Sequence, residues 1–171
     1  MRKFLVGFLL GIVLCLAGAY IFLTGGGMPV ATKGGPLPLE RLIAGTALRR
    51  AIGTQAGIPS PVAADEVNLV AGAHLYREQC AVCHGELGAP PSAIAKGMFP
   101  RPPQLLPPRK GVTDDPVGET FWKVKNGIRL TGMPGYGDSL SETEMWQVSQ
   151  LLVHAHELPA AAQAVLKGPG R

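Results

Sequence analysis

Cysteine is scarce in this 171-residue chain, which has only Cys15, Cys80 and Cys83. Cys80 and Cys83 stand beside His84, but a structural zinc site would need two further ligands at suitable spacing. Cys15 lies inside an apolar run, and His154 and His156 are distant and paired with no cysteine. No strand pattern precedes Cys80, so the pair lacks the βαβ setting of a thioredoxin-like dithiol. Basic residues form no stripe interleaved with aromatics, and the formal net charge is only +4, which gives no footprint for nucleic acid. Punctuation, by contrast, is plentiful. With 23 Gly and 16 Pro the chain is broken too often for one continuous core. The stretch that reads as globular is 65–158.

Within that stretch stands Cys80-Ala81-Val82-Cys83-His84, followed by Gly85. Two cysteines three apart on a turn of helix can each form a thioether to one vinyl group of a haem, and the adjacent imidazole can bind the iron. In a domain this small a covalently held haem, a large apolar disc, acts as part of the core, so folding should depend on it.

Ahead of the globular stretch, Arg2 and Lys3 precede Phe4 to Leu23, twenty residues without a charge. As a helix this run would be about 30 Å long, enough to cross the hydrocarbon core, and the basic pair belongs on the cytoplasmic side. The competing reading is a cleaved signal peptide ending near Ala17-Gly18-Ala19, against which Tyr20-Ile21-Phe22-Leu23 continue the apolar run. Either delivers the rest of the chain across the membrane. Cys15 reads as a buried apolar thiol of the span. From 24 to 64 the composition is that of a Gly/Pro-rich linker, whose forty-one residues would span about 35 Å root-mean-square if flexible. Inside it Leu39, Leu42, Ile43 and Ala47 fall at helical spacing, with Pro38 at the start and Arg49-Arg50 in the last turn. This predicts a short amphipathic helix over 38–52, either transient or lying on a membrane or partner surface.

A stronger helix is expected from about Ala64 into the cysteine pair, with Val67, Val70-Ala71, Leu75 and Tyr76 on its apolar face. Gly88 to Pro108 is too rich in proline for a long helix or a central strand and suits wrapping one haem face. Asp115-Pro116 opens a short helix closed by Asn126-Gly127. On it Trp122 either packs or brings its indole nitrogen near a haem propionate. Met133 follows, fixed between Gly132 and Pro134 on a constrained loop where its thioether can be aimed at a target. The final helix starts with a capping box, Ser141 and Glu144, and runs to about His156. His74, His154 and His156 read as surface residues, and the tail 159–171 as poorly ordered. Arg101, Arg109, Lys110, Lys123, Lys125 and Arg129 outnumber Asp114, Asp115 and Glu119 around the expected haem edge, either steering an acidic partner or forming an ordinary solvated surface.

With these features in this order, the chain resembles the class I (mitochondrial-type) c-type cytochromes, of the bacterial membrane-anchored monohaem kind. Gly72 and Tyr76 stand eight and four positions before Cys80, where that family has a glycine and an aromatic residue that meet the last helix. The resemblance implies an all-α class I cytochrome c domain around one covalent haem c, preceded by a single N-terminal transmembrane helix. The resemblance covers roughly 65–158 and says nothing particular about 24–64; with the composition it gives the layout of an anchor or uncleaved signal at 1–23, a Gly/Pro-rich linker at 24–64 with a possible short amphipathic helix at 38–52, the domain at 65–158 and a tail at 159–171. It implies Cys80, Cys83, His84 and Met133 as the haem-binding residues, with His84 and Met133 on the iron. A carbonyl of the proline region would accept the His84 Nδ1 hydrogen. Met145 reads as core, and Met98 as too close behind His84 to cross to the other face. The implied role is electron carrier rather than enzyme, with membrane redox complexes as partners: a quinol-oxidising donor and a terminal oxidase or reductase. Residues 4–23 would sit in the bilayer of the bacterial inner membrane with the haem domain on the periplasmic side, and neither nucleic acid nor a small-molecule substrate is expected. The alternatives are a fixed electron-transfer subunit of a larger membrane enzyme, and gas sensing or peroxidase activity, which would require Met133 to leave the iron.

Overall fold

The charge-free run becomes α1, Arg2–Thr24, in a computed structural model that describes residues 1–168. This helix has a mean hydropathy of 2.5 over its most apolar window and buries none of its residues. At 1.5 Å per residue its length suits either a membrane span or a signal. It belongs to a first unit, Met1–Pro38, distinct from the unit that begins at Leu39.

The second unit is entirely helical among the described residues. Its order is α2 (Glu40–Ile52), a 3₁₀ turn (Gly53–Gly57), α3 (Glu66–Leu75), a π turn (Tyr76–Cys80), α4 (Ala81–His84), α5 (Ala93–Gly97), α6 (Val117–Asn126), α7 (Glu142–Val153) and α8 (Ala160–Lys167). Asp65 caps α3 by accepting the Asn68 backbone N–H at 2.9 Å. The buried residues of α3 and the turn after it are Leu69, Gly72, Ala73 and Tyr76, one stripe at i, i+3, i+4 and i+7. That differs from the expected face, because Val67 is 78% exposed. Gly72 decides the rotation. A side chain there would strike the Gln147 carbonyl oxygen and lie 3.2 Å from Leu151 Cβ, so its absence lets α3 cross α7 closely. Val148, Leu151 and Leu152 of α7 complete this core.

Helix α7 opens with the expected capping box, the Ser141 N–H donating to Glu144 at 2.8 Å and the Glu144 N–H to Ser141 Oγ at 3.3 Å. It is joined to α6 by the rings of Phe121 and Trp146, stacked at 3.8 Å.

Two segments depart from the compositional reading. The linker assigned to 24–64 gives way well before its end: Ile52 is buried, the carbonyls of Gln55, Ala56 and Ile58 crowd the Cα of Gly118, and Gln150 donates to the Val62 carbonyl at 2.8 Å. The tail assigned to 159–171 contains α8, whose Ala162 and Leu166 are buried in the same core as α3 and α7. An apolar stripe at helical spacing outweighs the tail's small-residue composition. Residues 169–171 of that expected tail lie outside the described residues. His74 is exposed as expected, as is His156, which donates to the Arg109 carbonyl at 3.1 Å, while His154 is half-buried.

Candidate haem site

The motif cysteines arrive at the cavity through a change of helical pitch. In the π turn the Ala81 N–H bonds to the Tyr76 carbonyl, five residues back. Tyr76 therefore stays on the α3–α7 core face while Cys80, Cys83 and His84 line a cavity of about 350 Å³. Its other walls come from the 100–103 proline stretch, from Val124 and Leu152, and from the loop between α6 and α7 that carries Met133. All four expected haem-binding residues thus line one cavity.

On the His84 side the ring is fixed. His84 Nδ1–H donates to the Pro103 carbonyl at 2.8 Å, which identifies the carbonyl that spacing alone left open and leaves Nε2 as the nitrogen available for ligation. Burial lowers the His84 pKa, against the opposing effect of the Pro103 bond, so the neutral, ligating form is favoured at neutral pH. The helix end is tied down by the Leu105 N–H to His84 O at 3.2 Å and by Gln104 Nε2 to Cys83 O at 3.4 Å. Tyr76 donates its hydroxyl to Gly85 O at 2.7 Å, and burial holds that phenol protonated. Gly85 itself has φ +88, and a side chain there would also overlap the Gln104 amide.

Burial, reinforced by Cys83, pushes the Cys80 thiol up to about 12, so it is uncharged at neutral pH. Two thiols one helical turn apart, a single available imidazole nitrogen and apolar walls fit a haem bound by thioethers. Arg101 is the only Lys, Arg, Asp or Glu side chain among the lining residues. Among the described residues no three His, Cys, Asp or Glu side chains are grouped to hold a bare metal ion.

On the Met133 side the loop closes on itself. The Ile128 N–H bonds to Met133 O at 3.2 Å, the Met133 N–H to Thr131 Oγ1 at 3.1 Å, and Thr131 Oγ1 donates to Ile128 O at 2.7 Å. Gly127, at φ +66, abuts Gly135 so closely that a side chain at either would meet backbone. Met98 is a residue that sequence reasoning set aside. It lines the same cavity, and a methyl added at Gly132 would overlap its Cε. Tyr136 was missed altogether; its hydroxyl donates to Gln79 O at 2.9 Å and ties this loop to the π turn. Met145 is core, 2% exposed. Trp122 is half-buried and does not line the cavity. Of the six cations expected near the haem edge, Lys110 pairs with Asp114 at 2.7 Å, and Lys123 with Glu119 at 2.6 Å and Asp115 at 3.3 Å.

A helical domain crossed by α3 and α7 over a Cys-x-x-Cys-His cavity defines a class I c-type cytochrome, whose work is electron transfer on covalently bound haem c. Residues 67–152, half of the chain, match the family described as "Cytochrome C oxidase, cbb3-type, subunit III", and the chain belongs to that family. It is also 30% identical over 93 residues to a quinohemoprotein alcohol dehydrogenase, ADH IIB, of Pseudomonas putida. That alignment covers 53% of this chain and 12% of the relative. No solved structure matches the chain.

Proposed function

We propose that this protein is a monohaem electron carrier, held to the bacterial inner membrane by α1 with its cytochrome domain on the periplasmic side. It would pass single electrons from a quinol-oxidising complex to a terminal oxidase or reductase. The observation that carries the reading is that His84, with Nδ1 committed to Pro103, and Met133 line one cavity, a pair suited to filling both axial positions. Haem supplies the one-electron couple. The chain's own part is to hold its ligands still, exclude water with apolar walls and tune the potential. If His84 and Met133 both hold the iron, no position would remain open for oxygen or substrate. A neutral thioether favours reduced iron, so Met133→His should lower the midpoint potential in a redox titration if the new ring ligates. Unpaired basic groups near the cavity would steer an acidic partner, so the bimolecular electron-transfer rate should fall as salt rises, screening reach being about 10 Å at 0.1 M. A rate independent of salt would leave these cations as ordinary surface.

A second reading, a fixed electron-transfer subunit of a larger membrane enzyme, is favoured by the family's description as an oxidase subunit and by the relative, in which the matching segment is a small part of a dehydrogenase. Purification in mild detergent separates the two. A carrier leaves the membrane as a single small protein, whereas a subunit leaves with its complex.

A further inference from the structure

Helix α2 is well formed yet packs on almost nothing. Of its thirteen residues only the last, Ile52, is buried. An isolated helix of this length is marginal in water, so its support has to come from a surface. The face turned away from Leu48 and Ile52 carries Leu39, Leu42 and Ile43, exposed 65%, 61% and 65%. Arg50 continues that face and Arg49 flanks it, at helical spacings from Ile43 and Leu42. Leu39 has φ +64, a left-handed conformation that a leucine adopts only against steric cost, and it holds an apolar side chain in the open beside Leu42 and Ile43.

We propose that this face of α2 lies in the headgroup region of an anionic lipid surface; the proposal rests on the reading of α1 as a retained membrane anchor. Two arguments choose lipid. The first is charge: Arg50 on this face and Arg49 beside it bring guanidinium groups to the same exposed surface as Leu39, Leu42 and Ile43. The second is reach. Fourteen residues, 25–38, separate the end of α1 from Leu39, and a flexible linker of that length spans about 20 Å root-mean-square. Tethering makes the contact effectively intramolecular, so a weak affinity suffices to keep α2 down. The consequence is orientation. The 3₁₀ turn after α2 is seated against Gly118 of α6, so lipid-bound α2 would fix how the cytochrome domain stands on the membrane.

The test uses the full-length holoprotein with Cys15→Ala, reconstituted in vesicles of phosphatidylcholine alone or mixed with phosphatidylglycerol. A fluorophore is placed at Ile43→Cys, Val67→Cys or Phe8→Cys. In the mixed vesicles shallow nitroxide lipids should quench the label at position 43 and not that at 67. Arg49→Gln and Arg50→Gln should each weaken the association about fivefold. Equal quenching at 43 and 67, with 8 quenched normally, overturns the proposal while leaving the anchor intact. Shielding of position 43 that appears in native membranes but never in vesicles also overturns it, in favour of a protein partner. Loss of quenching at position 8 would show that the anchored reading itself has failed.

Discussion

On the His84 side of the cavity the bonds run between segments far apart in the chain, whereas on the Met133 side most run within one loop. His84 to Pro103, Leu105 to His84, and Tyr76 to Gly85 link the helix end to the proline stretch and the core. Across the cavity, Ile128, Thr131 and Met133 bond chiefly to one another; past them the Tyr136 N–H bonds to Val124 O at 2.9 Å and the Gly137 N–H to Lys125 O at 3.0 Å, tying the end of the loop to α6, and the Tyr136 hydroxyl reaches Gln79. Bonds within 128–133 hold the shape of the stretch that carries Met133, while its position depends on ties at the ends of the loop. The two faces should therefore fail differently: loss of the first removes the folded haem protein, and loss of the second leaves it folded with an opened iron.

The largest effect should come from the Cys80→Ala, Cys83→Ala double variant. Denatured in acid and extracted with organic solvent, the parent should keep its haem on the polypeptide, and the variant should yield little folded haem protein. Next is Met133→Ala, which should stay folded, lose the weak far-red absorption of a methionine–iron bond in the oxidised form, and bind carbon monoxide when reduced. Met98→Ala should keep that absorption. The reverse pattern would move the distal ligand to Met98 and erase the contrast between one fixed and one movable ligand.

A smaller change tests the packing behind the loop. Gly132→Ala places a methyl on Met98 Cε, and overpacking of this kind costs about 1–3 kcal/mol. Since Met98 is flexible, the low end is expected, read as earlier loss of the far-red band in a urea titration. Adding Met98→Ala should restore most of the loss, and additive effects would show that the two residues do not touch. The smallest expected effect is Tyr136→Phe, which removes the bond to Gln79 O at a cost of about 0.5–1.5 kcal/mol. If its unfolding midpoint fell as far as that of a Gly72→Ala variant, the distal loop would be as firmly cross-tied as the proximal side.

The readable parts of this molecule were those whose chemistry is local. Cys80, Cys83 and His84 carry their chemistry in their spacing, and Ser141 and Glu144 cap a helix through their own side chains; Gly72 is marked out by the family's offset from Cys80, its missing side chain supplying the physical reason. Pro103 was not readable, since one backbone carbonyl looks like any other until the chain's path is known. The same holds for 53–62, which packs through the carbonyls of Gln55, Ala56 and Ile58 on a glycine, a contact without a side-chain signature. Composition masked α8, whose alanines resemble a tail until Ala162 and Leu166 are seen to be buried. Met98 was set aside on chain distance from His84, yet α5 and the proline stretch carry the chain to the cavity within that distance.

The π turn at Tyr76–Cys80 makes the haem motif sensitive to length. It holds one residue more than a regular turn, so deleting Arg77 or Glu78 would let α3 run on into α4 as unbroken helix and improve the local hydrogen bonding. Such a deletion keeps every residue with a named role. It would nonetheless rotate the cysteine pair about 100° around the helix axis relative to Tyr76 and Gly72. The turn acts as a phase shift between two patterns written on one helix, one addressed to α7 and the other to the haem. A chain shortened there would be a better helix and a worse cytochrome.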